Sequence, residues 1–213
     1  MIPFTEESAE PVTNGKILYG PGKGLKKIVF KGLDVTKSIV TKIATIDSSK
    51  KKIILIQPSE KSLYRSGLNE KGVSGYLYIF AHATPDRIQG ITEGSIVAQL
   101  VRASGIWNGE PILIDACNAG GTPQGIASSL ALSLQTYVTA PTSLTWNYPL
   151  GGPAVGQGAF DKLPGKLANL PFPDLTKPGQ WRTWGPDGNP ISTTRTSPRD
   201  AGSPTTPLQV NKK

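Results

Sequence analysis

Four short apolar runs punctuate the middle of the chain: "KKKIILIQP" (50–58), "GYLYIFAH" (75–82), "EPILIDAC" (110–117) and "QTYVTAP" (135–141). Each is too short for a helix and continuous rather than alternating, a pattern that predicts strands buried on both faces. A polar, Gly-bearing connection separates the first two. Between the next pair, "TEGSIVAQLVRASGI" (92–106) puts Ile96, Leu100 and Val101 on one helical face with Val97 alongside. Thr92 is its predicted N-cap and Gly105 its stop. Between the last pair, "GTPQGIASSLALSLQ" (121–135) predicts a helix with Thr122 as N-cap and Pro123 at its first position. Its apolar stripe runs Ile126, Leu130, Leu134, flanked by Ala127 and Ala131. Buried strands alternating with helices predict an α/β fold: a mainly parallel sheet flanked by helices on both faces.

The ends of the chain read differently. Residues 1–24 predict an irregular N-terminal arm, and "KKIVFKGLDV" (26–35) a strand or hairpin arm. "GPGKG" (20–24) lacks the G-x-x-x-x-G-K-[ST] spacing of a phosphate loop and follows no strand signal. The region 152–213 holds 10 of the 19 prolines and little periodicity, which predicts a loop-rich extension wrapping the sheet. Trp146, Trp181 and Trp184 either wall a cleft there or anchor the extension by burial. The predicted organisation is an arm (1–24), one domain (25–187) and a disordered tail (188–213).

Length and composition narrow the class. At 213 residues the chain is one domain with extensions, or one larger domain. No apolar run approaches the roughly 18–20 residues of a membrane-spanning helix. The N-terminus lacks the basic and apolar regions of a Sec signal. A single cysteine excludes an internal disulfide and fits folding in a reducing cytosol. The net charge of +8 is uneven: residues 1–75 carry 13 Lys/Arg against 7 Asp/Glu, residues 76–160 only 2 against 4. The basic surplus therefore lies outside the segment bearing the one His and the one Cys. One Cys and one His cannot build a zinc site unaided, and no acidic run has calcium-loop spacing. No metal or other cofactor is expected.

His82 closes the second apolar run and Cys117 the third. In an open parallel α/β sheet, ligands meet the carboxyl ends of the strands, so crossover geometry predicts both on one rim. An imidazole beside a thiol generates thiolate. The Gly120-Gly121 turn permits a sharp bend, the helix beyond it offers a positive end, and backbone N–H groups at the turn offer an oxyanion hole. Asp86, four residues past His82, is a candidate to orient the imidazole.

The order His82 then Cys117, each closing a strand, with "DACNAGG" (115–121), resembles the caspase-like peptidases: caspases, metacaspases and the gingipain group. The caspase form is Q-A-C-[RQG]-G with a His roughly 50 residues upstream. D-A-C-N-A-G is closer to the D-x-C-x-[SA]-G form of metacaspase-like relatives. "IASSLALSLQTYVTAPTSLTW" followed by "GQWRTWGPDG" is similar to cysteine-protease domains at the C-termini of bacterial Rhs-type polymorphic toxins and effectors. The resemblance spans about residues 53–187. It implies a caspase-like three-layer sandwich and a cysteine endopeptidase with Cys117 as nucleophile and His82 as general acid/base. The backbone N–H groups of Ala83 and Cys117 would form the oxyanion hole, although these enzymes usually carry His-Gly where this chain has His82-Ala83. Asp115 matches the aspartate that favours Arg or Lys before the scissile bond; its alternative role is to cap local amides.

The same resemblance implies a toxin made in the bacterial cytoplasm and delivered into a target cell by a specialised, non-Sec route. Its partners would be a protein substrate and a cognate immunity protein or secretion-system carrier, not nucleic acid. Two other readings stay open: a Cys-His deamidase or transglutaminase-type effector, and a non-catalytic basic nucleic-acid-binding module.

Overall fold

The computed structural model describes residues 17–19, 25–33, 39–148, 151–158 and 173–198. The four apolar runs form β4 (Lys52–Ile54), β5 (Leu77–Phe80), β8 (Ile112–Asp115) and β9 (Val138–Pro141). They pair in parallel as neighbours, β4 with β5, β5 with β8 and β8 with β9. Antiparallel strands extend this group on both sides. On one side are β1 (Ile17–Tyr19), β2 (Leu25–Leu33) and β3 (Ile39–Asp47). On the other are β13 (Trp181–Trp184) and β14 (Pro190–Thr194). The described sheet has nine strands in the order β1-β2-β3-β4-β5-β8-β9-β13-β14.

The fold is α/β, but the sheet is mixed rather than mainly parallel. β1 lies inside the predicted irregular arm, and β14 is a sheet strand within the predicted disordered tail. Residues 20–24 and 199–213 lie outside the described residues. Part of the predicted loop-rich extension is instead strand: β11 (Gly151–Gly158) and β12 (Pro173–Pro178) pair with β10 (Leu144–Tyr148) in a separate three-stranded sheet.

Helices cover both faces of the parallel strands. On one face, α2 (Gly94–Ala103) and α3 (Ile126–Leu134) pack onto Ile53, Ile79, Ile112, Ile114 and Val138. The predicted stripe of α3 (Ile126, Ala127, Leu130, Ala131 and Leu134) is buried throughout. Each of its larger side chains contributes about 1.5–3 kcal/mol of burial. On the other face, α1 (Lys61–Asn69) packs Leu63, Tyr64 and Leu68 over Ile54, Tyr78, Phe80 and Leu113. The three crossovers all step the same way across the sheet, so α1 on the opposite face means that β4-α1-β5 winds with the opposite hand to the other two. One hand dominates such connections in about 98% of cases, so at least one of the three departs from the rule.

Local signals placed the helix bodies better than their ends. α2 is capped by Glu93 with no side-chain bond rather than by Thr92, while Gly105, at φ +69°, follows its last turn as predicted. α3 starts at Ile126 behind Gly125, not at Thr122-Pro123, because the Pro123 carbonyl accepts the Trp184 Nε1–H at 2.7 Å. Trp181 and Trp184 are buried on opposite faces of the sheet, which assigns both as anchors; the Trp146 side chain lies outside what is described. α1 ends on a buried lysine: Lys52 Nζ donates to the carbonyls of Gly67, Leu68 and Glu70 at 2.6–3.0 Å. That satisfies terminal acceptors of the helix and places the cation at the negative end of its dipole.

Candidate active site

The one histidine and the one cysteine both stand at the carboxyl rim of the sheet. β5 and β8 are adjacent and in register, with Phe80 opposite Asp115, so His82 and Cys117 each follow two residues beyond paired positions. The last rung runs from the Ala81 N–H to the Asp115 carbonyl at 3.3 Å. There the strands part: among the described residues, no backbone carbonyl accepts the Cys117 N–H.

The chain after His82 folds back as a small hairpin, β6 (Ala83–Thr84) and β7 (Arg87–Ile88), whose turn is Pro85-Asp86. The Pro85 carbonyl accepts the Ile126 N–H at 2.9 Å, where the loop after Cys117 enters α3. An added Cβ on Gly125 would lie 2.1 Å from that carbonyl oxygen, and one on Gly121 would lie 2.8 Å from the Pro85 ring. The hairpin is thus seated on the cysteine loop through two positions that lack a side chain.

That loop is fastened from the β9 side too. The Gly120 N–H donates to the Pro141 carbonyl at 2.8 Å, and Arg182 Nη1 donates to the Gly120 carbonyl at 2.8 Å. Asn118, not Gly120 or Gly121, takes the left-handed turn, at φ +58°. Asparagine tolerates that region better than most side chains. The loop spans nine residues from Cys117 to the first helical residue, which moves the end of α3 away from the sulfur in sequence. The local polarity comes from β10 instead. The Thr145 N–H donates to Cys117 Sγ at 3.5 Å, and Thr145 Oγ1 lies 3.6 Å from the sulfur. A thiolate would gain from both donors.

His82 is half-exposed, and its Nε2 meets Glu60 Oε2 at 2.6 Å. Glu60 is the residue before α1, just beyond β4, and therefore on the same rim. Burial works to raise the Glu60 pKa, but the hydrogen bond from His82, the Gln57 N–H and the charge of His82 outweigh it and hold the carboxyl below the usual 4.5. Glu60, not Asp86, therefore orients the imidazole. Asp86 lies in the exposed hairpin turn, bonded to the Thr84 hydroxyl and Arg87 Nε. With Nε2 held by Glu60, Nδ1 is the ring nitrogen left for a thiol. His82 and Cys117 make no hydrogen bond to each other here, and such contacts commonly tighten only with substrate bound.

Asp115 points to the α1 face, 1% exposed, and accepts the hydroxyl proton of Tyr78. Buried in this way, the carboxylate is not open to a substrate side chain in this structure. Ala83 is half-buried at the base of the hairpin, next to the rim where its oxyanion role would place it.

A carboxyl group whose folded pKa is depressed stabilises the fold above its unfolded value and loses that contribution as the pH falls through the folded value. Acid unfolding of Glu60→Gln should therefore show a shallower loss of stability below pH 4.5 than the wild type. Parallel urea melts at pH 6 and pH 3.5 measure this. An equal loss in both proteins would mean that the Glu60–His82 contact contributes nothing.

These features define an α/β domain with a thiol and an imidazole–carboxylate pair on neighbouring parallel strands. Residues 51–155, just short of half the chain, match the model of a family described as a domain of unknown function (DUF8616). Glu60, His82, Cys117 and Thr145 all fall inside the matched segment. No curated protein and no solved structure matches the chain. Among the described residues, no helix is long and apolar enough to cross a membrane, and no group of three or more His, Cys, Asp or Glu could hold a metal ion.

Proposed function

We propose that this protein is a cysteine-nucleophile acyl-transfer enzyme, best read as a cysteine endopeptidase of caspase-like type. The carrying observation is the registered placement of His82 and Cys117 beyond paired residues of neighbouring parallel strands, with Glu60 on His82 Nε2 and the Thr145 N–H on Cys117 Sγ. The Cys117 thiolate attacks a peptide carbonyl, and the developing oxyanion is met by the Cys117 N–H, with the Ala83 N–H as second donor. His82 gives its proton to the leaving amine as the C–N bond breaks, leaving a thioester. It then takes a proton from water, whose oxygen adds to the thioester carbon, and returns a proton to the departing sulfur. Glu60, bonded to Nε2, keeps the ring oriented at each stage. No cofactor enters this sequence of steps.

The test compares wild type with Cys117→Ala on a mixture of unfolded proteins, read by mass spectrometry. New peptide termini that require Cys117 support the peptidase. Conversion of glutamine to glutamate without cleavage moves the same thioester chemistry to a side-chain amide, making the protein a deamidase. Identical products from both proteins overturn the catalytic reading and favour the basic nucleic-acid-binding alternative, whose binding would weaken steeply with salt.

A further inference from the structure

Gln89 ties His82 to Glu60 through its backbone and its side chain. Gln89 follows the β6-β7 hairpin, is 8% exposed, and sits in the left-handed region at φ +49°. Glutamine has no short side chain to ease that conformation, and a non-glycine residue found there is uncommon. Its backbone N–H and both polar atoms of its side chain face the His82–Glu60 pair. Its backbone N–H donates to the His82 carbonyl at 2.7 Å, and its Oε1 accepts the His82 N–H at 3.2 Å. Its Nε2 donates to Glu60 Oε1 at 3.4 Å, the carboxylate oxygen that His82 does not use. One buried amide therefore grips the backbone of the histidine and the carboxylate that orients its ring. Gln89 and Glu60 lie 29 residues apart in sequence and share no strand pairing.

We infer that Gln89 is a positioning residue, a clamp that fixes Glu60 and His82 relative to each other so that the ring is presented to Cys117. The inference rests on the acyl-transfer reading above. Unusual backbone conformations persist where the surroundings over-determine them, and at functional sites they serve pre-organisation. Gln89 at φ +49° and Asn118 at φ +58° flank the proposed base and nucleophile. Their hydrogen bonds hold the two rim segments from opposite sides.

The chain has one thiol, so alkylation by iodoacetamide against pH reports Cys117 alone. The clamp predicts that Gln89→Gly, which relieves the backbone but deletes the amide, moves the rise of the alkylation rate upward by at least half a pH unit, toward that of His82→Ala. Gln89→Glu keeps the length and the acceptor for the His82 N–H but sets a carboxylate against Glu60, and should move it in the same direction. A merely structural role would lower Tm and leave the profile in place. Coincident profiles for folded Gln89→Gly and wild type, with His82→Ala displaced, overturn the clamp and leave the acyl-transfer reading standing. Should Gln89→Gly not fold, Gln89→Glu decides alone. Coincidence of all profiles, His82→Ala included, removes both the clamp and the dyad on which it rests.

Discussion

In His82→Ala, the pH profile of Cys117 alkylation should move upward from that of the wild type, because the imidazole that promotes thiolate formation is gone. The magnitude follows from two opposed effects. A free thiol is only about 3% ionised at pH 7, so an imidazolium partner that shifts ionisation by two units raises the thiolate population about 25-fold. The nucleophilicity of that thiolate falls with its basicity, by about 8-fold over the same two units. The net gain at pH 7 is only about threefold, so a rate at a single pH is a poor discriminator and the whole profile is the measurement. Half-exposed, His82 can be removed with little cost to the core, and Glu60 can turn to water. Turnover should suffer far more than alkylation. Protonation of the leaving amine disappears with the imidazole, and general acid–base catalysis contributes typically 10²–10⁴-fold. Superimposable profiles from two folded proteins would assign Cys117 as a structural thiol and end the case for a dyad.

The parts of this arrangement that were legible in sequence are those written in continuous local patterns. The four apolar runs, the stripes of α2 and α3, and the strand-end positions of His82 and Cys117 are all periodicity signals, and the structure keeps them. What escaped was set by contacts between distant segments. α1 was hidden because "KSLYRSGLN" offers only Leu63, Tyr64 and Leu68 to the core among polar neighbours. With α1 went Glu60, whose pairing with His82 spans 22 residues. Asp86 was the nearer carboxylate in sequence and the wrong one in space, since the hairpin turn carries it out to Thr84 and Arg87. The cap signature Thr122-Pro123 is a sound local signal, but Trp184 and Pro85 bind the loop where a longer helix would need it. A Ser-Glu pair (Ser59, Glu60) ahead of Leu63 and Tyr64 was the one available hint of α1. Nothing in a lone glutamine announces Gln89.

Gly125→Ala should disable the site without touching any of its reactive atoms. Gly125 has φ −88° and ψ −161°, a conformation open to any residue, so the cost of a methyl group is purely steric. That methyl would sit 2.1 Å from the Pro85 carbonyl oxygen and 2.6 Å from Thr122 Oγ1. The hydroxyl can rotate away, but the carbonyl belongs to the hairpin backbone. Restoring ordinary contact requires the hairpin tip to retreat by about 1 Å, with loss of the Ile126 N–H bond to Pro85. The base of the hairpin is His82 itself, joined to Gln89, so the retreat acts on the imidazole. A misplacement of that size costs about 10²-fold in rate at a catalytic group. Overpacking and the lost bond should lower stability by about 1–3 kcal/mol. The alkylation profile should therefore shift toward that of His82→Ala while a thermal melt still shows a folded protein. Gly105→Ala is the matched control. Its φ of +69° makes alanine strained there, yet a Cβ meets nothing within 4 Å and the site is not involved. Equal thiol profiles for Gly125→Ala and Gly105→Ala, with equal losses in Tm, would mean that the hairpin does not hold His82 to Cys117.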